Sequence, residues 1–208
     1  LLNCTIVHNT SASGRLIEWV EPGASLRLTN CVLRFNAESY ALVTNGLTFR
    51  ACAMDAPPPA AAIDLGVIPL SSSTHVFVDP SGSDGDPDND FHLLPCTVLV
   101  DAGDTAAAEA AGLEVELAGA PRFFDDSVTP DTGPPGAGPP IDIGAFEIQS
   151  ACCPGDLDGS GSVGFQDVVE LLATWGPCLR CPEDLDGDFD VGFTDLVQLL
   201  AAWGPCPE

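Results

Sequence analysis

Residues 153–178 read CPGDLDGSGSVGFQDVVELLATWGPC, and residues 181–206 repeat the pattern as CPEDLDGDFDVGFTDLVQLLAAWGPC, a period of 28. The Cys-Pro opening, the acidic loop, the Phe, the apolar run and the WGPC ending recur at the same offsets. A tandem duplication constrains a fold more tightly than composition does, because a unit this small must bury its apolar side against its own copy. The end of this chain is therefore expected to be two copies of one supersecondary unit.

Each copy carries oxygen-bearing side chains at alternate positions and one more carboxylate at the twelfth. The first loop supplies Asp156, Asp158, Ser160, Ser162 and Asp167; the second supplies Asp184, Asp186, Asp188, Asp190 and Asp195. Calcium, a hard cation, takes about six to eight oxygens at roughly 2.3–2.6 Å, and a twelve-residue loop delivers them from these positions. The first, third and fifth side chains donate directly and the seventh residue offers its carbonyl. The ninth, Gly164 or Gly192, has no side chain and works through water. The twelfth carboxylate, on the first turn of the next helix, closes the shell. Val163 and Val191 at the eighth position are expected to pair the two loops and fill the core between them. A lone DxDG turn carries little; two full loops, each followed by the same helix, carry the expectation of two Ca2+ sites.

Phe165, Val168, Val169, Leu172 and Trp175 fall on one helical face, and Phe193, Leu196, Val197, Leu200 and Trp203 repeat it. These faces are expected to pack on each other, with the tryptophans as core anchors. Gly176-Pro177 and Gly204-Pro205 stop the helices. Two disulfide patterns suit the repeats. A pseudo-twofold arrangement gives Cys153–Cys206 with Cys178–Cys181; bonding within each repeat gives Cys153–Cys178 with Cys181–Cys206. Cys152 is left over, available for a bond to the region before it.

Six Lys+Arg, all of them Arg, stand against 31 Asp+Glu, for a net charge of −25. Such a surface repels phosphate backbones and anionic lipid, which argues against nucleic-acid partners. Hydrophobic residues still make up 45% of the chain, enough for a packed core. No apolar run approaches the roughly 18 residues of a membrane span, so no membrane insertion is expected. Nine Cys against one Met indicate an oxidising compartment, hence a secreted, extracellular or cell-surface protein. The chain opens on Leu1-Leu2-Asn3-Cys4 and reads as the C-terminal piece of a longer precursor.

Before the duplication the pattern changes. LLNCTIVHN at 1–9 returns as LTNCVLRFN at 28–36, 27 residues later, and LTFRAC at 47–52 suggests a third turn of the same kind. Short strands at such a period suit stacked β-coils, with Cys4 and Cys31 adjacent in the interior; two strands of a sandwich would give the same pair of nonapeptides. From 56 to 149, Pro- and Gly-rich breaks separate the strand-like runs HVFV (75–78), CTVLV (96–100) and IDIGAFEI (141–148). Together FVDP, DFHLLPC, VDAGD, PRFFDD and IDIGAFE resemble the C-terminal end of secreted right-handed parallel β-helix proteins of bacteria such as planctomycetes. The resemblance implies a mostly β region at 1–149, the last coils and cap of a β-helix, joined by a linker at 150–152 to a small α domain at 153–208.

No helix precedes either loop, since Cys153-Pro154 and Cys181-Pro182 occupy that place. Loop plus following helix, twice, closed by Asp, resembles the type I dockerin. The resemblance implies a module that folds with calcium and docks onto a cohesin-like or other cell-surface protein. Two departures stand out. Dockerins often carry a Ser-Thr pair at the tenth and eleventh loop positions, here Phe165-Gln166 and Phe193-Thr194. Phe189 replaces the glycine that turns the loop, so the second site is expected to be the weaker.

For catalysis the segment offers little. His8, His75 and His92 are scattered, there is no phosphate loop, and Asp125-Asp126 reads as a turn. The acidic stretch with Asp84, Asp86, Asp88 and Asp90 reads as a solvated loop. The expectation is a non-enzymatic association or anchoring module. The alternative is the end of a polysaccharide-degrading β-helix enzyme whose active site lies upstream, with polysaccharide as ligand.

Overall fold

A computed structural model describes residues 1–7, 25–34, 46–55, 57–58, 62–70, 76–79, 90–94, 96–158, 160–178 and 181–207. His8, Asn9, Asn36, His75 and the acidic positions Asp84, Asp86 and Asp88 lie outside the described residues. The chain divides into two compact units: Leu1–Asp125 with Pro130–Gln149, and Asp126–Thr129 with Ser150–Glu208.

The first unit is built on a parallel sheet. Strands β1 (Thr5–Val7), β2 (Leu26–Thr29), β3 (Val32–Arg34), β4 (Leu47–Met54) and β5 (Ile63–Pro69) all pair parallel, in the order β1-β3-β4-β2 with β5 also on β4. Side chains alternate between two cores, as the pleat requires. Leu33 packs with Leu28, Phe49 and Met54, while neighbouring Val32 joins Ala53, Phe77, Leu99 and Ile143 on the other side. Registers Thr5↔Val32 and Val32↔Ala53 bring Cys4, Cys31 and Cys52 side by side on successive strands, as free thiols in an apolar cluster. Each follows a residue at positive φ: Asn3 (48°), Asn30 (52°) and Ala51 (44°). Asn tolerates that conformation better than most residues.

The expected coils and cap of a mostly β right-handed parallel β-helix are not what these residues form. The described chain is a mixed α/β structure with one five-stranded parallel sheet and three short helices. The 27-residue repeat encodes the register between β1 and β3, but the spacing does not persist. It is 21 residues between Val32 and Ala53 and 15 between Cys52 and Val67, and β4 alone takes β2, β3 and β5 as partners. Parallel pairing needs matched apolar alternation, and it does not need a fixed coil length.

Later runs depart from expectation too. Phe77–Asp79 (β6) pairs antiparallel with Asp90–Leu93 (β7), whereas CTVLV is a turn rather than a strand. Cys96, its first residue, and Asp101, just after it, stand at φ 64° and 52°, values that break an extended run. Thr105–Ala110 is a helix, α1, capped by the Asp104 carboxylate, which accepts from the Ala107 amide. IDIGAFEI forms no strand and instead wraps buried Arg122, which donates to the carbonyls of Asp142 (2.7 Å), Gly144 (3.0 Å) and Phe146 (3.0 Å). Asp142 in turn accepts from the amides of Asp101 and Ile148. The PRFFDD and IDIGAFE motifs are thus one buried polar knot, which suits their turn-rich composition.

The second unit holds the duplication. Ser162–Val163 (β8), Phe165–Ala173 (α2) and Gly176–Pro177 (β9) form the first repeat; Asp190–Val191 (β10), Phe193–Ala201 (α3) and Gly204–Pro205 (β11) form the second. Each ribbon crosses between repeats. β9 pairs antiparallel with β10 through Val191↔Gly176, and β11 with β8 through Gly204↔Val163. Val163 and Val191 therefore do not pair with each other, as the sequence suggests, but both are buried in the core the repeats share. Cys153–Cys206 and Cys178–Cys181 are disulfides, the pseudo-twofold arrangement, and Cys96 and Cys152 are disulfide-bonded as well. Among the described residues no helix is long and apolar enough to cross a membrane.

Candidate metal centre

Nine-residue helices do not hold themselves in water, so the loops and the shared core must fix α2 and α3. The twelfth-position carboxylates do much of this. Asp167 is buried, and its Oδ1 accepts from the amides of Leu157 (2.8 Å) and Asp158 (3.1 Å) while Oδ2 accepts from Gly164 (2.6 Å). Asp195 repeats the set with Leu185 (2.8 Å), Asp186 (3.1 Å) and Gly192 (2.7 Å). Each carboxylate stands on the first turn of its helix, where the dipole favours negative charge. Burial pushes the Asp167 carboxyl upward, but the amides of Gly164, Asp158 and Leu157 outweigh it and hold the group below the ordinary Asp value.

Around these anchors the loops bring further carboxylates together. One oxygen each from Asp156, Asp158 and Asp167 lies within 4.8 Å of the others, and Asp184, Asp186 and Asp195 form the same group in the second loop. Asp156 accepts from the amides of Ser160 and Gly161, and Asp184 from those of Gly187, Asp188 and Phe189, so backbone donors aim these side chains. In the first loop Ser160 Oγ donates to the Ser162 carbonyl, 3.1 Å away, which turns that oxygen toward the fifth position. Asp188 and Asp190 stay exposed and outside the three-carboxylate group; Asp188 Oδ1 accepts from the Asp190 amide at 2.9 Å. Asp186 is raised above its ordinary value, first by desolvation and then by the charges of Asp195, Asp188 and Asp184, against a hydrogen bond from the Asp188 amide.

The donor set fits a hard cation. Every converging atom is a carboxylate oxygen, and no Lys or Arg ion pair is present at either loop among the described residues. A bound divalent ion would be held by Asp156, Asp158 and Asp167, or by Asp184, Asp186 and Asp195, and would neutralise a charge that no described residue compensates. Turn geometry is alike in both loops. Gly161 has φ 82° and Phe189, at the same place in the repeat, has φ 72°.

The helix faces differ from expectation. Leu171 and Leu199 are fully buried, with Val168 and Leu196 packed beside them, and these four make the seam between α2 and α3. Phe165 is 75% exposed and Phe193 73% exposed, and Val169, Leu172, Trp175, Val197, Leu200 and Trp203 are exposed with them. The tryptophans are therefore surface residues, not core anchors. Both stripes are apolar at helical spacing, so periodicity cannot tell which of them is inside.

A contact that sequence reading missed is at the disulfide. Cys206 Sγ lies 3.5 Å from Asp156 Oδ2, because the tail carrying Cys206 pairs with the first loop. Elsewhere His92 Nδ1 lies 2.5 Å from Asp90 Oδ1 and its ring 4.1 Å from that of Phe146, an exposed His–carboxylate contact. No family model, curated protein or solved structure matches the chain.

Proposed function

We propose that residues 153–208 are a calcium-folded association module of a secreted protein, resembling a type I dockerin, that docks through the exposed faces of α2 and α3. One observation carries the reading: two loops gather uncompensated carboxylates at the base of two helices whose outer faces are apolar and unpartnered among the described residues. Exposed aromatic side chains of this density mark interaction surfaces more often than bare solvent boundaries. The disulfides accord with an extracellular setting.

The chemistry of the partner follows from the face. Phe165, Val169, Leu172 and Trp175, with their copies on α3, ask for an apolar groove. The acidic loops beside them, on a chain of net charge −25, ask for Arg or Lys at its rim. Phe165 and Phe193, where many dockerins carry Ser, shift the contact toward burial of aromatic surface.

Calorimetric titration of the full chain with calcium, followed by binding to an immobilised cohesin-type domain with a basic-rimmed groove, tests both halves. Two sites filling, and binding abolished by chelator and by F165S/F193S, are expected. Absence of calcium uptake removes the first half, and binding indifferent to the double substitution removes the second.

A further inference from the structure

The two loops are clamped in the same way but secured differently. The tail Gly204–Pro205 pairs with Ser162–Val163, and the Cys206 amide donates to the Gly161 carbonyl at 3.0 Å. The tail Gly176–Pro177 pairs with Asp190–Val191, and the Cys178 amide donates to the Phe189 carbonyl at 2.9 Å. Each tail holds the middle of the opposite loop. The second loop's tail lies within the chain, with α2 before it and the second repeat after it, so covalent continuity confines it whatever happens to Cys178–Cys181, which spans a sequence separation of 3. The first loop's tail follows α3, and among the described residues its covalent return to the first repeat is Cys153–Cys206, a separation of 53. That bond anchors to Cys153, three positions before Asp156, and its Cys206 sulfur touches the Asp156 carboxylate.

We propose that the Cys153–Cys206 disulfide is a redox lock on the first metal loop alone, with the second loop's affinity set independently of it. The inference rests on the calcium reading above. A dithiol supplies the two electrons: its thiolate attacks one sulfur, the S–S bond breaks, and the dithiol closes into its own cyclic disulfide. Cys153 and Cys206 are left as thiols. The freed tail then samples states in which β11 leaves β8, so Gly161 and Asp156 lose their fixed positions before an ion arrives. Loop-closure entropy penalises the first loop and spares the second. Groups that orient ligands without touching a metal govern affinity in this way.

The test uses the full chain, with the amides of Gly161 and Gly187 as separate NMR reporters of the two loops during calcium titration. For C153S/C206S the first loop should weaken by about tenfold or more, within the range for lost supporting contacts, while the second changes by less than about threefold. C178S/C181S should leave the first loop unaffected. A second route keeps the disulfides. Gly204 has φ 134° and Gly176 φ 112°, with open space where a Cβ would go, so Gly204→Ala and Gly176→Ala strain only the tails. Gly204→Ala should weaken the first loop and Gly176→Ala the second. Equal loss at both loops in C153S/C206S, or none at the first, overturns the lock. If the oxidised wild-type chain takes up no calcium at either loop, the calcium reading itself fails.

Discussion

In the sheet unit the buried carboxylate of Glu147 lies against the buried guanidinium of Arg122, with Nε and Oε2 3.4 Å apart, and its Oε2 accepts from the Asp142 amide. In the tandem module the buried carboxylates of Asp167 and Asp195 also accept backbone amides, but each faces two further carboxylates and, among the described residues, no Arg. Both units use acids to organise turns. The first supplies the counter-charge from its own sequence; in the second none is present among the described residues. Acids in one chain can thus sit beside a counter-charge in one half and cluster with each other in the other, and composition alone does not separate the two cases.

Breaking the internal counter-charge should have the largest effect. Arg122→Leu removes three donors to carbonyls and leaves Glu147 and Asp142 without their cation, at a cost of about 3–5 kcal/mol. Amide exchange at Ile143 should accelerate strongly, while calcium uptake at the two loops stays unchanged. A parallel loss of uptake would show that the module depends on the sheet unit.

The complementary break is Asp167→Ala. It strips the acceptor from the amides of Leu157, Asp158 and Gly164, a loss of about 3 kcal/mol for buried donors that lose a charged partner. Exchange at Leu171 should rise even in chelator, exchange at Ile143 should not change, and the first loop should take up no ion. Exchange at Leu171 that stays slow would mean the ribbons and disulfides suffice without the carboxylate.

These two residues also mark how far the sequence could be read. Asp167 was legible because the duplication states its position twice, and a twelfth-place acid in such a loop stands on the first turn of the following helix. Arg122 was not, because PRFFDD has no second copy and a single Arg in an acidic chain looks like a surface residue. No motif marks the Ala-rich stretch at 105–110, which is α1, since the Asp104 cap is visible only once Asn30 and the chain around it are in place. The 27-residue repeat matches the register between β1 and β3 but not a coil length, because nine residues define an alternation and not the path between strands. On α2 and α3 the apolar stripes were evident, and which one packs inward was decided by the opposite repeat.

Acidity should move the two units in opposite directions. Burial, then the neighbouring Asp142 charge, raises Glu147 above the ordinary Glu value, with Arg122 and the Asp142 and Phe124 amides opposing. A group raised in the folded state contributes stability that is fully present below its ordinary value of roughly 4.3 and is lost as pH rises toward the folded value. Ile143 should therefore exchange with a lower opening free energy at pH 8 than at pH 5, and Glu147→Gln should flatten that slope. Asp167 is depressed, so its contribution is present above roughly 3.9 and disappears as pH falls through its lower folded value. In chelator, Leu171 should accordingly lose protection only on the acid side. A common slope for both reporters would mean that the units do not titrate separately.

The smallest expected effect separates the two loops from each other. Phe189 holds φ 72° where Gly161 holds 82°, and a residue with a Cβ is disfavoured there by roughly 1–2 kcal/mol, partly offset by the entropy a glycine loses on ordering. Phe189→Gly should therefore stabilise the second loop by about 1 kcal/mol and tighten its calcium binding by a factor of about five, with the first loop unchanged. Site-resolved titration through the Gly161 and Gly187 amides measures both at once. In the unaltered chain the first loop should fill before the second, despite the two extra carboxylates at Asp188 and Asp190. The reverse order would mean that charge at the fifth and seventh positions outweighs the strain of the turn, and Phe189→Gly would then widen the gap instead of closing it.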